Sequence, residues 1–221
     1  MLRIGGSVIA SPPNPQLINK YVGIIQRVLK EKHQIVVVVG GGKPAREFIQ
    51  IARDLGLDEP EQDEVAISTS RIFAQLISMK LGGHDWKDIP TSIGEAVNAL
   101  QKRGIVVMGG LRPGMTTDAV AALIASEIKA DLILKATDQE GIYTKDPERY
   151  ADAEKIDEIS FEDLDKMLER VKHEAGIHQI IDPEAARILK EKRIRMIVVN
   201  GFNPENVIAV LRGEKIGTII H

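Results

Sequence analysis

The chain has 221 residues, 43% of them hydrophobic, and a formal net charge of −3 at pH 7. This length supports one domain with a sizeable core, and the slightly acidic balance gives no indication of a nucleic-acid surface. The absence of cysteine excludes disulfides and thiolate zinc sites, and the five histidines lack the spacing of metal ligands. No apolar run reaches the roughly 18 residues of a membrane span, and the N-terminus lacks the pattern of a signal peptide. We therefore expect a cytoplasmic protein with no membrane or nucleic-acid partner and no metal held by the protein itself.

Short β-branched runs alternate with helical patterns along the chain. The run from Ile35 to Val39 is apolar throughout, which is typical of a strand buried on both faces of a parallel sheet. We predict further strands at 2–4, 105–108, 132–136 and 195–199. The acidic segment 54–64 is predicted to be a loop, and helices are predicted at 16–32, 44–55, 64–80, 92–103, 118–129, 161–171, 183–192 and 204–211. Alternating strands and helices predict the α/β class, as a three-layer αβα sandwich with a mainly parallel central sheet.

Glycines directly follow three of the predicted strands, at positions 5–6, 40–42 and 109–110. In an open parallel sheet, ligands bind beyond the carboxyl ends of the strands. Glycine there permits a close approach of the backbone, and backbone N–H groups can then face an anion. Each group of glycines alone is compatible with a simple tight turn. Three of them at one edge of the sheet predict a site for a polyphosphate.

Two common phosphate-binding motifs do not explain these glycines. A Walker A loop requires G-x-x-x-x-G-K-[ST], but here Gly42-Lys43 is followed by Pro44 and position 37 is valine. Segment 40–45 matches a loose dinucleotide fingerprint, which needs a second strand and an acidic residue about 20 residues further on. No strand precedes segment 56–60, so we reject the dehydrogenase interpretation.

Several long motifs follow one another over nearly the whole chain, at 4–7 (IGGS), 39–46 (VGGGKPAR), 108–123 (MGGLRPGMTTDAVAAL), 141–147 (GIYTKDP), 181–183 (IDP) and 213–220. In this order they resemble the motifs of archaeal-type UMP kinases (uridylate kinases) of the amino acid kinase family. The resemblance implies the amino acid kinase fold and phosphoryl transfer from ATP to UMP in pyrimidine nucleotide synthesis. It also implies a homo-oligomer, a hexamer built as a trimer of dimers. We expect a single domain over 1–221, with an acceptor-binding lobe at about 1–130 and a nucleotide-binding lobe at about 131–221.

The implied reaction needs no general base, because a nucleotide phosphate is largely ionised near pH 7. Catalysis then reduces to aligning two phosphates and neutralising their charge. We expect Mg²⁺ to bridge the nucleotide phosphates without a dedicated protein cage. For catalysis we predict Arg3, Arg46 and Asp118. The resemblance implies ATP contacts for Gly6, Ser7, Gly42, Arg46, Thr137, Tyr143 and Asp146. It implies UMP contacts for Gly41, Asp63, Leu111, Arg112, Pro113, Gly114, Met115, Thr116 and Thr117.

Plainer alternatives exist for several of these residues. Arg46 could be a solvated helix residue, Tyr143 a core residue and Asp63 a surface residue. Asp118 suits a helix N-cap by type and position, which is compatible with a role in organising catalytic cations. Arg3 stands where many relatives carry lysine, and its planar guanidinium has a different geometry. A surface position at the strand edge is the alternative for Arg3.

Three positions on the expected acceptor side depart from the pattern of the resembled family. Phe73 stands in place of the usual asparagine, and Leu111 and Met115 replace a threonine and a histidine that relatives often carry. These changes keep two other functions open. One is a kinase of the same fold that phosphorylates another nucleotide, a small phosphate compound or a carboxylate. The other is a nonenzymatic protein that binds or stores nucleotides.

Overall fold

The structure is a computed structural model that describes residues 1–82, 89–171 and 181–221. Nine strands lie within these ranges: β1 (Leu2–Ile4), β2 (Ile35–Val39), β3 (Ile105–Met108), β4 (Ile133–Thr137), β5 (Ile142–Tyr143), β6 (Lys155–Ile156), β7 (Glu158–Ile159), β8 (Met196–Asn200) and β9 (Thr218–Ile220). Seven of them form one sheet in the order β3-β2-β1-β4-β8-β9-β7. Strands β5 and β6 pair separately and antiparallel.

The part of the sheet that carries the glycine loops is parallel. Strands β3, β2, β1, β4 and β8 run in the same direction, whereas β9 is antiparallel to β8. The carboxyl ends of β1, β2 and β3 therefore meet at one edge, which confirms that the three groups of glycines converge there.

The helices of the described ranges cover both faces of the sheet. They are α1 (Gly6–Ile9), α2 (Pro15–Lys30), α3 (Gly42–Asp54), α4 (Glu59–Leu81), α5 (Ile93–Arg103), α6 (Thr117–Glu127), α7 (Phe161–Val171), α8 (Pro183–Lys192) and α9 (Glu205–Leu211). Side-chain caps begin several of them: Asn14 Oδ1 accepts a hydrogen bond from Leu17 N at 2.9 Å, and Pro15 occupies the first turn of α2. Such caps satisfy N–H groups that have no partner within the helix.

Strand β2 shows why two helical layers form. All five of its residues are buried, and alternate side chains point to opposite faces of the sheet. Ile35, Val37 and Val39 belong to the core cluster that contains much of α2. Val36 and Val38 belong to the cluster on the other face, with residues of α5 and α6. The predicted αβα sandwich with a mainly parallel sheet is confirmed.

Two local predictions fail. Segment 54–64 is not one loop, because the Asp58 side chain accepts from Glu61 N and the Glu61 carboxylate accepts from Asp58 N, and this capping box starts α4 at Glu59. Asp118 is not an N-cap: Thr116 caps α6, and Asp118 lies in its first turn.

His84, His173 and His178 lie outside the described residues. None of the helices in the described ranges is long and apolar enough to cross a membrane.

Candidate active site

A cleft of about 720 Å³ lies at the carboxyl ends of β1 to β4. Its walls come from three glycine loops, from α3 and α4, and from the segment that leads into α6. This is the sheet edge at which ligands bind in open parallel α/β folds. The cleft brings together residues that are as far apart in the chain as Arg3 and Glu148.

The first two glycine loops touch backbone to backbone at the cleft wall. A side chain added at Gly6 would place its Cβ 2.1 Å from the Gly42 nitrogen, and one at Gly42 would meet the Gly6 oxygen at 2.3 Å. Gly42 also has a φ of +60°, which favours glycine. Ser11 joins the same two loops, because its hydroxyl donates to Gly6 O at 3.1 Å and accepts from Lys43 N at 2.7 Å.

Arg3, Asp118 and Lys135 form a charged cluster at the floor of the cleft. Arg3 Nε lies 2.7 Å from Asp118 Oδ1 as an ion pair, but its N–H does not point at this oxygen and forms no hydrogen bond with it. Lys135 Nζ donates a hydrogen bond to the other carboxylate oxygen, Asp118 Oδ2. Arg3 Nη2 also donates to Thr117 Oγ1 at 3.0 Å. The Arg3 side chain is only 15% exposed, so its interpretation as a surface residue at a strand edge is wrong.

Opposing effects set the ionisation of this cluster. Burial raises the pKa of Asp118, but the charges of Arg3 and Lys135, together with the hydrogen bond from Lys135, outweigh burial and bring this pKa below its usual value. Burial lowers the pKa of Lys135, and the charge of Asp118 offsets part of that effect. Asp118 is therefore an ionised carboxylate at neutral pH.

Helix α4 holds the loop between β3 and α6 at several points. Arg71 donates from Nε to Gly110 O and from Nη2 to Leu111 O, both at 3.1 Å. Ser70 Oγ accepts from Gly110 N at 2.8 Å, and Asp63 Oδ2 accepts from Gly114 N at 2.7 Å. The loop is thus fixed to the helix by its backbone, and side chains such as Arg112 and Met115 line the cleft.

Most of the predicted site residues line this one cleft. They are Arg3, Gly6, Ser7, Gly41, Gly42, Arg46, Asp63, Arg112, Gly114, Met115, Thr116, Thr117, Asp118 and Thr137. Four predicted residues do not line it: Leu111, Pro113, Tyr143 and Asp146. Leu111 packs against the core cluster beneath α6. Tyr143 lies on β5, and the carboxylate of Asp146 accepts from Glu148 N at 2.9 Å. Their ligand contacts, like those of the residues in the cleft, stay predictions.

Lys135, Ser70 and Arg71 are not among the site residues predicted from the sequence, although Lys135 and Ser70 line the cleft and Arg71 holds its loop. Lys135 had a recognisable signal, because a lysine inside an otherwise apolar parallel strand is unusual. Ser70 and Arg71 lie on α4, and only the tertiary packing brings them to the loop.

The three departures from the family pattern have different places in the structure. Phe73 is buried in the core with α2, and neither Phe73 nor Leu111 lines the cleft. Met115 is the only one of the three at the cleft wall. The side chain of Phe73 therefore forms no part of the cleft surface.

Comparison with known proteins agrees with this architecture. The sequence model of the "Amino acid kinase family" matches residues 2–200. The uridylate kinase of Methanocaldococcus jannaschii is 40% identical over 219 residues, which are 98% of this chain and 96% of that protein. The uridylate kinase of Methanobrevibacter smithii is 35% identical over 218 residues, 99% of this chain and 96% of that protein.

Solved structures show the same similarity. The crystal structure of uridylate kinase from Archaeoglobus fulgidus superposes with a TM-score of 0.88 at 36% identity, and the match covers 100% of this chain and 99% of that one. A UMP kinase from Bacillus anthracis has a TM-score of 0.82 at 21% identity, covering 100% of this chain and 94% of that one; at that identity the likeness concerns the fold alone. The chain belongs to the amino acid kinase family, and its relatives named here within that family are uridylate kinases.

Proposed function

We propose that this protein transfers the γ-phosphoryl group of ATP to UMP, giving ADP and UDP, as a step of pyrimidine nucleotide synthesis. The observation that carries the proposal is the glycine-lined cleft of a chain that matches archaeal uridylate kinases over its full length. An oxygen of the UMP phosphate forms the new bond to the γ-phosphorus, and the bond from that phosphorus to the β,γ-bridging oxygen breaks. The electron pair of that bond leaves with ADP.

The cleft offers a separate group of residues to each nucleotide. We assign the ATP phosphates to Gly6, Ser7, Gly42 and Arg46, at the backbone contact between the first two loops. We assign UMP to Gly41, Asp63 and the loop 111–117, which α4 holds. Arg3 and Asp118 would lie between the two, where transferred charge has to be neutralised. Thr137, Tyr143 and Asp146 stay proposals for the adenosine side.

Mg²⁺ would be carried by the nucleotide phosphates, where it supplies charge neutralisation. Within the described residues no cluster of three or more acidic or histidine side chains could hold a metal ion. Both oxygens of Asp118 face cations of the protein. The residues present therefore fit a metal that arrives with ATP.

An acceptor panel tests the reaction. Purified protein, ATP and Mg²⁺ are incubated with UMP, CMP, AMP and GMP in turn, and we expect UDP as the main product. Arg46→Ala should lower kcat/KM by about 100-fold, because it removes a positive charge from the transferring phosphate. Arg53→Ala is the matched control, since Arg53 lies on the same helix but does not line the cleft. No UDP at millimolar UMP would contradict the proposal.

The panel also separates the two other functions. If labelled phosphate is transferred to another acceptor while UMP does not react, the protein is a kinase of the same fold with a different substrate. Of the three departures from the family pattern, only Met115 lies at the cleft wall and still favours that alternative. Nucleotide binding without turnover on any acceptor would establish a binding protein. The cytoplasmic location and the two-lobe division of the domain stay predictions.

We also propose a homo-oligomer, a hexamer built as a trimer of dimers. Large apolar side chains stand exposed on two helices that pack together, α3 and α4. They recur at helical spacing: Phe48 and Ile51 on α3 with Leu55 at its C-cap, and Ile72, Leu76 and Met79 on α4. We call these six residues the apolar face. Large exposed apolar side chains at helical spacing on two packed helices are typical of a protein contact, and we propose that a second copy of the chain covers the apolar face.

A further inference from the structure

Lys135 is a buried cation in the middle of the sheet. It is the third residue of β4 and is 3% exposed. The parallel pairing of β1 with β4 sets Lys135 directly beside Arg3, and side chains at paired positions leave the sheet on the same face. Arg3 is itself largely shielded from water, with a side chain that is 15% exposed, and two like charges at such neighbouring positions repel each other. The pair is therefore stable only with an anion close to both.

Asp118 supplies that anion from the first turn of α6. One carboxylate oxygen contacts Arg3 at 2.7 Å, and the other accepts a hydrogen bond from Lys135. A further acid, Asp182 at the N-cap of α8, also acts on this cluster: its charge raises the pKa of Lys135, and a hydrogen bond from its backbone N–H lowers the pKa of Asp118. Replacing a buried ion cluster with apolar residues often leaves stability unchanged or raises it. Because the cluster of Arg3, Asp118 and Lys135 lies in a cleft, it is a candidate for a functional role.

The guanidinium of Arg3 faces the glycine loops. An added side chain at Gly5 would meet Arg3 Nη1 at 3.1 Å, and one at Gly40 would meet Nη2 at 3.7 Å. Arg3 thus lies beside the loops to which we assign the phosphates. Its direction depends on Asp118 Oδ1 and on Thr117, which accepts from Nη2. The orientation of the carboxylate in turn depends on what holds Oδ2.

We propose that Lys135 is a positioning residue of the phosphoryl-transfer site, which fixes the Asp118 carboxylate and, through it, the guanidinium of Arg3. The inference rests on the proposed kinase activity. Lys135 acts in two ways: its hydrogen bond stops the carboxylate from turning away from Arg3, and its charge keeps Asp118 ionised. Without Lys135, Asp118 keeps one cationic neighbour of the two, and its pKa rises.

The test measures steady-state kinetics of Lys135→Met with ATP and UMP between about pH 5 and pH 9. We expect kcat to fall about 10- to 100-fold, because a small misplacement of the charged groups weakens transfer. KM for each nucleotide should change less than about threefold, since Lys135 acts through Asp118 and Arg3. The acid limb of kcat should move to higher pH, because Asp118 with a raised pKa becomes protonated at a higher pH.

Lys190→Met is the matched control. It removes a lysine from another Lys–Asp pair, with Asp165 at 2.6 Å, that does not line the cleft. This variant should keep the kcat and the pH profile of the wild type. Lys135→Gln separates charge from hydrogen bond, because glutamine can still donate to Asp118 but carries no charge; it should move the acid limb as Lys135→Met does.

A carboxyl ¹³C NMR titration of Asp118 supplies a readout that does not need turnover. The Asp118 pKa should rise in both Lys135 variants and stay unchanged in Lys190→Met. Folded Lys135 variants with the wild-type kcat and acid limb would overturn the inference. So would a fall in kcat without a change in the Asp118 pKa, since that would be a structural effect alone.

Failure of the proposed function would be recognised separately. If the wild type makes no UDP, the kinase proposal fails, and the titration still decides whether Lys135 sets the Asp118 pKa. If neither Lys135 variant folds, the NMR titration of Asp118 in the wild-type protein tests the inference. An Asp118 pKa at or above about 3.9, the value of a free aspartate side chain, would overturn the inference.

Discussion

Two glycines that touch across the cleft wall show what single residues do in this site. Gly6 and Gly42 approach so closely that a methyl group on either would overlap the backbone of the other loop. Backbone atoms cannot move aside as a flexible side chain can, so a larger residue has to push the loops apart. The contact thus sets the distance between the first two loops, to which we assign the ATP phosphates.

Alanine substitution should separate this contact from an ordinary helical glycine. We expect Gly6→Ala to lower the free energy of unfolding by at least about 2 kcal/mol, through overpacking, and to reduce turnover. Gly23→Ala in α2 is the matched control, because nothing lies within 4 Å of its added Cβ. It should raise the free energy of unfolding by about 0.5–1 kcal/mol. Urea unfolding measures the free energy of unfolding of both variants. Equal changes at the two positions would contradict this interpretation.

At the scale of an element, α4 links the helix layer to the acceptor loop. Its start is fixed by the capping box at Asp58, which places Asp63 one turn later against Gly114. Two turns further along, Ser70 and Arg71 hold the backbone of residues 110 and 111. The shape of the proposed UMP site therefore depends on a helix outside the glycine loops.

Arg71→Met should weaken UMP binding selectively. It removes two hydrogen bonds to loop carbonyls, each worth about 1 kcal/mol. We expect the KM for UMP to rise about tenfold while the KM for ATP stays within about twofold. Lys80→Met, in the last turn of the same helix, should change neither value. Equal rises for both nucleotides would show that Arg71 supports the whole cleft and not the acceptor loop alone.

At the scale of the whole molecule, the apolar face leaves six large apolar side chains of the described residues in contact with water. Leu55 is 73% exposed there, and its five neighbours on the face are each about half exposed. Because the same two helices carry Arg46 and Asp63, a contact between copies would lie directly behind the cleft walls. Assembly and activity are therefore expected to depend on each other.

Leu76→Glu should dissociate the oligomer, because it places a charge in the middle of a contact from which water is excluded. Light scattering coupled to size-exclusion chromatography should show a smaller species, with lower activity per chain. The control is Leu211→Glu, an apolar residue of α9 that is 40% exposed and lies outside the apolar face. A wild-type chain that is monomeric at micromolar concentration would contradict the proposed assembly.

Local patterns were sufficient to predict the sandwich and its ligand-binding edge. The five predicted strand runs and the glycines that follow three of them are signals carried by neighbouring residues. Strands β5, β6, β7 and β9 have only two or three residues each, and, unlike the short strand β1, none of them is followed by a pair of glycines. They form because the sheet and its neighbours offer them partners. The start of α4 was misplaced because acidic residues suggested a loop, whereas two of them form its cap.

Short motifs in a fixed order were enough to predict the fold class, the family resemblance and most of the residues that line the cleft. Strand pairing and helix packing were needed to show that Arg3 lies beside the buried Lys135 and largely shielded from water, that Asp118 bridges them and that Phe73 belongs to the core. The physical reason is distance along the chain: Arg3 and Lys135 are brought together by the pairing of β1 with β4. Such contacts depend on strand register and helix packing, which no local pattern specifies.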